Sequence, residues 1–408
     1  MTPFAVKGAE SNTSGDTFSS GNKAVSQSYN MFGRQQDNIF SRMAQDNDFM
    51  SDIRKVFSSV EDSLLSQESD NDRISVYYSE DASIDSGEGD DRIDTYHSAN
   101  ANINSGSGDD DISVYYSENA NINSGSGSDR ISAYYSDNVN IVSGSGDDSI
   151  SVYHSKGAKI SSGSGKNDID AYYTENTSIS TDSDDSRVSV YYSKNTSTTT
   201  GAGDDSLSMY YSENTQTNLG DGDNRASIYN TSNAGLTAGS GDDSLSVYYS
   251  DNTQIDLGGG DNRMDVYSSD NVSVTTGDGN DNITMTDTTG ASISSGAGND
   301  LIYINNFSAE SFVDGGDGND NITARGEIYG GAGNDTISGS GVISGGTGND
   351  YITLVNKLGT PEDAPGSIVN YSRGDGDDVI SVSASDAVLN MNDISQDEVD
   401  ISETFNRV

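Results

Sequence analysis

Residues 106–124 read G-S-G-D-D-D-I-S-V-Y-Y-S-E-N-A-N-I-N-S, and a close variant of that phrase follows nineteen residues later in the same phase. Within it Ile112 and Val114 flank polar Ser113, the period-two pattern of a half-buried strand. Ala120, Ile122 and Ser124 repeat that alternation over a second, shorter stretch. Two strands and two turns in nineteen residues make one coil of a solenoid. A single coil cannot bury its own aliphatic side chains, so the core exists only where coils stack.

Outward from this unit the period holds in both directions. One aliphatic column runs from Ile74 through Ile93, Ile112 and Ile131 to Ile302 in steps of nineteen, with no insertion. A second, two residues on, runs from Val76 to Ile304. A third runs from Ile84 through Ile179, Thr198, Thr217 and Leu236 to Ile293 and Phe312. Low-complexity disorder requires neither strict phase nor apolar columns. The expected fold is therefore all-β: a right-handed parallel β-solenoid, or β-roll, of nineteen-residue coils with an N-terminal helical cap.

Composition agrees. The 408 residues carry 20 Lys+Arg against 66 Asp+Glu, a formal net charge of −46. That balance excludes nucleic acid as a partner, because no basic footprint can displace its counterions, and it disfavours anionic membrane surfaces. The absence of cysteine rules out disulfides and thiolate metal or redox chemistry. No apolar run is long enough to span a membrane, and the residues after Met1 lack the apolar core of a cleaved signal peptide. Between Pro3 and Pro361 lie 357 proline-free residues, which suits an uninterrupted hydrogen-bonded ladder.

The two turns of a coil carry different chemistry. One holds the column Asn100, Asn119, Asn138, Gly157, Asn176, Asn195, Asn214, Asn233, Asn252, Asn271 and Gly290. Asparagine exchanging with glycine marks a left-handed backbone position, and stacked amides can add a ladder of their own. The other turn places an aspartate two residues before the first aliphatic column, at Asp72, Asp91, Asp110, Asp129, Asp148, Asp205, Asp243, Asp281 and Asp300. Glycines precede it, as Gly87 and Gly89, Gly106 and Gly108, Gly125 and Gly127, Gly144 and Gly146, Gly277 and Gly279, and Gly296 and Gly298. Such glycines let backbone carbonyls turn towards a small site while the carboxylate supplies charge. Calcium takes six to eight oxygen ligands, carbonyls among them. A column of carboxylates at coil spacing repels itself, and a row of Ca2+ ions would turn that edge into a cross-link.

Three stretches sharpen this reading: Gly315–Thr323 (G-G-D-G-N-D-N-I-T), Gly330–Ser338 (G-G-A-G-N-D-T-I-S) and Gly345–Thr353 (G-G-T-G-N-D-Y-I-T). They resemble the repeats-in-toxin, or haemolysin-type, calcium-binding nonapeptide G-G-x-G-x-D-x-U-x, where U is a large aliphatic residue. The resemblance implies a right-handed parallel β-roll, calcium-dependent folding and type I secretion without a cleaved N-terminal signal. It also implies ligation by Asp320, Asp335 and Asp350 with the carbonyl region of Gly316, Gly318, Gly331, Gly333, Gly346 and Gly348. Gly374–Ser381 re-enters the motif with Asp378. Departures are specific: residues 68–302 carry the motif on one turn per coil, and the opening glycine is usually Ser or Thr, as at Ser105 and Ser124. The aspartate is replaced by Asn167, Ser186, Asn224 and Asn262. Asparagine can still offer one neutral oxygen, whereas the turn at Ser186 lacks glycine. These departures predict one row of ions with gaps. Asp90, Asp109, Asp147 and Asp204, one residue earlier, either ligate as well or face water.

Organisation along the chain follows. Residues 1–35 read as a disordered tail and 36–66 as a helical cap, with Ile39, Phe40, Met43, Phe49, Met50, Ile53, Phe57, Val60 and Leu64 at three- and four-residue spacings. Nineteen-residue coils span 67–313 and nonapeptides 314–354, where the period shortens to fifteen between Ile322, Ile337 and Ile352. Residues 355–408 resemble the segment that follows such repeats in the family. Eleven tyrosines share one phase, from Tyr77 to Tyr267, and are expected to point outward. They form either a stiffening ladder or a contact face for glycan, a cell-surface component or a second copy. The next column tolerates His97 and His154, read as tyrosine replacements at a corner.

The functional expectation is a secreted or cell-surface calcium-binding repeat protein with a structural or adhesive role and no enzymatic activity. Its alternatives are the repeat module of a larger toxin and a polysaccharide-acting enzyme on a β-helix. An enzyme needs a non-repeating cluster of acid, base and basic neutraliser, and the sparse Lys and Arg form none. Ice binding favours flat threonine arrays, and the outward positions here are Ser, Asn and Tyr.

Overall fold

The computed structural model describes residues 71–394, apart from 183, 306–310, 356–365 and 383–386, together with the backbone of two short strands, Ala24–Ser26 and Leu64–Ser66. All regular structure among the described residues is β, and residues 1–220 and 221–408 form two compact units. No helix among them is long and apolar enough to cross a membrane.

In the first unit, eight five-residue strands from Arg73–Tyr77 to Ser206–Tyr210 alternate with shorter strands such as Asn102–Asn104 and Asn121–Asn123. Each long strand pairs in parallel with the long strand of the next coil, like residue on like: Ile112 on Ile131, Val114 on Ala133, Tyr115 on Tyr134. Short strands do the same, Ile103 on Ile122 and Ile122 on Ile141. Inward residues of the two strands meet between them. Ile74, Ile93, Ile112, Ile131 and Ile150 are wholly buried, as are Ala120 and Ile141. Each fully buried isoleucine contributes roughly 1.5–3 kcal/mol, so the stack supplies a core that no coil has alone.

Two corners join the strands, both in left-handed backbone conformation. Asn119 has φ +54° and Asn138 +54°, as the Asn/Gly exchange predicts. Tyr116 and Tyr135, at +51° and +53°, form the other. Between the corners lies a buried serine column. The Ser117 N–H donates to Ser136 Oγ at 3.1 Å, and Ser117 Oγ donates back to the Tyr115 carbonyl at 3.0 Å. That bridge satisfies polar groups the tight corner would otherwise bury unpaired. Asparagine amides form a further ladder outside, Asn119 Nδ2 to Asn100 Oδ1 and Asn138 Nδ2 to Asn119 Oδ1, each 3.1 Å.

The second unit begins with five more such long strands, from Arg225–Tyr229 to Leu301–Asn305. One inserted residue then shifts the short-strand register, so Ile293 pairs with Val313. Val313 is buried and Phe312 is exposed, which corrects the column ending expected at Phe312. In the fifteen-residue coils the two strands merge into single runs, Asn321–Ala332 and Thr336–Thr347, bent at Gly326 and Gly341. Ser367–Ser372, Val379–Val382 and Ala387–Asn392 continue the parallel pairing.

The helical cap expected over 36–66 and the tail over 1–35 lie outside the described residues except at two points, and both points are strands. Leu64–Ser66 pairs in parallel with Ser83–Asp85, and Ala24–Ser26 with Arg73–Ser75. Leu64 therefore belongs to a strand and not to a helix. A short apolar run carries no periodicity that separates the two.

Candidate cation-binding turns

The glycine turns have the backbone the sequence implies. Gly106 and Gly108 take φ +100° and +125°, and a Cβ on either would strike the carbonyl of the glycine one coil earlier. Close coil-to-coil approach, and not only turn geometry, demands glycine there.

The aspartates after these glycines are buried. Asp91, Asp110, Asp129, Asp148, Asp243, Asp281, Asp300, Asp320, Asp335 and Asp350 expose 1–3% of their surface, and Asp72 and Asp205 are buried with them. Asp378 is only half-buried. From Asp91 onward, one oxygen of each carboxylate joins a ladder between coils. The Asp91 N–H donates to Asp110 Oδ1 at 2.8 Å, the Asp110 N–H to Asp129 Oδ1 at 2.9 Å, and the Asp335 N–H to Asp350 Oδ1 at 2.8 Å.

The other oxygen has no donor. Oδ2 of Asp91, Asp110, Asp129, Asp148, Asp243, Asp281, Asp300, Asp320, Asp335 and Asp350 is buried without a hydrogen-bond partner. A buried acceptor left unsatisfied costs about 1–3 kcal/mol, and more when charged. Burial accordingly pushes the Asp335 carboxyl up to about 7 and those of Asp110, Asp243, Asp281, Asp320 and Asp378 up to about 6. It also raises Asp91, Asp129, Asp148, Asp205, Asp300 and Asp350.

What faces Oδ2 depends on the opening residue of the turn. In the nonapeptides it is glycine, and a Cβ on Gly330 would fall within 3.0 Å of both Asp335 Oδ2 and the Gly345 carbonyl oxygen. A Cβ on Gly315 would meet Asp320 Oδ2 and the Gly330 carbonyl in the same way, and one on Gly345 would meet Asp350 Oδ2. Acceptor oxygens thus converge on a point that no side chain fills. This donor set, one carboxylate oxygen with backbone carbonyls, suits a hard cation such as Ca2+. In most of the nineteen-residue coils a serine or threonine opens the turn. Ser105 Oγ lies beside Asp110, but its single proton goes to the Ser124 carbonyl at 3.1 Å. Ser143 and Ser162, and Ser295 and Gly315, repeat that bond at 2.8 Å. The hydroxyl satisfies the carbonyl that the nonapeptides leave facing Oδ2. Serine reads from sequence as a turn filler, so this difference was not visible there.

The outer acidic column proves to be a second ladder. Asp90 Oδ1 accepts the Asp109 N–H at 2.9 Å, and Asp109 Oδ1 accepts the Ser128 N–H at 2.8 Å. These side chains are exposed and hold backbone. Among the described residues no three acidic or histidine side chains converge on one point, so a cation here would rely on one carboxylate with carbonyls.

Both tyrosine columns are stacked. In the first unit the rings from Tyr77 to Tyr210 follow one another, Tyr96 and Tyr115 at 4.8 Å, Tyr115 and Tyr134 at 5.1 Å, within a few degrees of parallel. His97 stacks between Tyr78 and Tyr116 at 5.1 and 5.0 Å, and His154 between Tyr135 and Tyr173 at 4.8 and 4.7 Å. The histidines occupy tyrosine slots. Ring faces cover each other, so edges and hydroxyls are what solvent meets. No family model, curated protein or solved structure matches the chain.

Proposed function

We propose that the chain is a calcium-binding repeat protein of the repeats-in-toxin kind, whose right-handed β-roll is stiffened by Ca2+ held in its glycine turns. The observation that carries this reading is the buried, donorless Oδ2 of Asp320 and Asp335 converging with a backbone carbonyl where only glycine leaves room. Calcium supplies positive charge there. Asp320, Asp335 and Asp350 hold it foremost, and the serine-opened turns of Asp91, Asp110, Asp129, Asp148 and Asp300 bind more weakly, because their hydroxyls already occupy the approach. Its role is structural or adhesive and its place is outside the cell, reached by type I secretion. The stacked tyrosines serve first as a stiffening ladder. A glycan, a cell-surface component or a second copy would meet their hydroxyls and edges.

Far-UV circular dichroism in chelator and in millimolar Ca2+ tests the reading. Calcium should raise the β signal and the melting temperature. Asp335→Ala and Asp350→Ala should raise the calcium concentration needed, while His97→Ala leaves it unchanged. A fold complete in chelator, with no calcium-dependent change in stability, refutes the proposal.

A further inference from the structure

Four turns of the row lack aspartate, and each does the same thing with its replacement. Asn167 Nδ2 donates to the Gly165 carbonyl at 2.9 Å and to the Gly163 carbonyl at 3.2 Å. Ser186 Oγ donates to the Asp184 carbonyl at 3.2 Å. Asn224 Nδ2 donates to the Gly222 carbonyl at 2.9 Å, and Asn262 Nδ2 to the Gly260 carbonyl at 3.0 Å. In every case the acceptor is the carbonyl two residues earlier.

The asparagine oxygen, which the sequence reading offered as a neutral ligand, is already committed. Asn167 Oδ1 accepts the Asp148 N–H at 3.0 Å, and Asn262 Oδ1 accepts the Asp243 N–H at 3.0 Å. Reversing either amide would set N–H against N–H and oxygen against carbonyl oxygen, so the network admits one orientation. The asparagine keeps the backbone ladder of the aspartate and presents protons where the aspartate presents an orphan oxygen. Strand register equates these turns with their neighbours, Ser145 lying on Ser164 and Ser240 on Gly259.

We infer that Asn167, Ser186, Asn224 and Asn262 are internal substitutes for the cation: their side-chain hydrogens neutralise the turn carbonyls and close those turns to metal. The inference rests on the calcium reading for the aspartate turns and adds which positions stay metal-free and why. Two further details agree. At Asn224 and Asn262 the opening residue is buried Leu219 or Leu257, which offers no oxygen. Beside Asn167 the residue that is acidic in most other coils is Lys166, whose ammonium pairs with Asp185 at 2.7 Å.

The decisive experiment converts one class into the other in the full-length chain, with calcium counted by equilibrium dialysis and melting followed in chelator at pH 8. Asp335→Asn should bind one Ca2+ fewer than the parent and melt at least about 2 °C higher in chelator, because Nδ2 now donates where Oδ2 was stranded. Asp335→Ala, which removes the ion without supplying donors, should show no such rise. Asn167→Asp should melt lower than the parent in chelator. The inference is overturned if Asp335→Asn melts no higher than Asp335→Ala in chelator, or if Asn167→Asp leaves chelator stability unchanged. A parent chain that binds no calcium would sink the calcium reading instead, while the chelator melts would still judge the amide contacts.

Discussion

Replacing Gly330 by serine would turn a nonapeptide turn into the kind found at Ser295. Gly330 is a clean target because its φ lies outside the left-handed range, so a side chain there meets only a problem of space. The space is the proposed cation cradle, between Asp335 Oδ2 and the Gly345 carbonyl. In the same unit Thr276 and Ser295 show what a hydroxyl does at this position, donating to the next coil's carbonyl at 2.9 and 2.8 Å. A serine Cβ at Gly330 would fall within 3.0 Å of Asp335 Oδ2 and the Gly345 carbonyl oxygen, so Gly330→Ser must shift the turn, should melt lower than the parent in chelator, and should lose most of its calcium at Asp335. An ion present at a hundred times its Kd stabilises a fold by about 2.7 kcal/mol. For a unit of this size that corresponds to roughly 5–10 °C of melting temperature. Thermal melts followed by circular dichroism, each run in chelator and in excess Ca2+, read the difference directly. The calcium-induced rise, taken as each protein's own difference between the two melts, should shrink by that amount whatever the variant's melt in chelator. A folded Gly330→Ser protein with the parent's full calcium increment would refute the assignment of the cradle.

Other perturbations follow from the same geometry. The folded Asp335 carboxyl, at about 7, sits above its ordinary 3.8, so between those values the native state holds a proton the unfolded chain has released. In chelator, stability should then rise on acidification from pH 8 towards pH 5, by up to about 1.4 kcal/mol per pH unit for each such carboxyl; a denaturant midpoint that falls over this range contradicts it. Ile150→Ala opens a cavity at a fully buried position and should cost about 2–5 kcal/mol with or without calcium, measured by urea unfolding. Tyr153→Ala removes stacking on Tyr134 at 5.0 Å and Tyr172 at 4.9 Å, a loss of roughly 1–3 kcal/mol that should leave calcium affinity unchanged in a dialysis titration. His154→Tyr restores the majority residue of its stack and should lie within about 0.5 kcal/mol of the parent.

Much of the fold was legible because a solenoid writes each contact many times. Ile112 is inward for the same reason as Ile93 and Ile131, and a column of thirteen overrides local ambiguity. Asparagine exchanging with glycine gave the left-handed corner at Asn119. The corner at Tyr116 was half visible, since its tolerance of His97 and His154 marked a bend but tyrosine does not advertise positive φ. Where repetition failed, so did the reading: a single inserted residue put Val313 where Phe312 was expected, and Leu64 formed a strand where mixed spacings suggested helix. The candidate site was legible in residue type and not in hydrogen-bond direction. Sequence says that Asn167 replaces an aspartate; only coordinates say that its oxygen faces backbone N–H and its nitrogen faces carbonyl. The serine hydroxyls at Ser105 and Ser117 were likewise invisible, because serine is common in turns whatever its proton does.

The constant offset of nineteen within the first unit has a consequence for how such a chain can change length. Excising residues 112–130 would join Asp111 to Ile131, so the strand would read D-I-S-A-Y and still lie on Arg92–Tyr96 as Asp111–Tyr115 does. The ladders of corner asparagines, serines, aspartates and rings would reconnect like to like, Asn100 to Asn138, Ser98 to Ser136, Asp110 to Asp148 and Tyr96 to Tyr134, while the outer amide of Asn104 would face Val142. Loss or duplication of nineteen codons is thus a nearly silent edit to stability that moves the two ends of the repeat by one strand spacing, about 4.8 Å. An edit of eighteen or twenty would leave one coil a residue short or long, a mismatch that must be absorbed between strands as the single inserted residue before Val313 is. Reach in this molecule is counted in whole coils, and selection can lengthen or shorten it one notch at a time without redesigning the core.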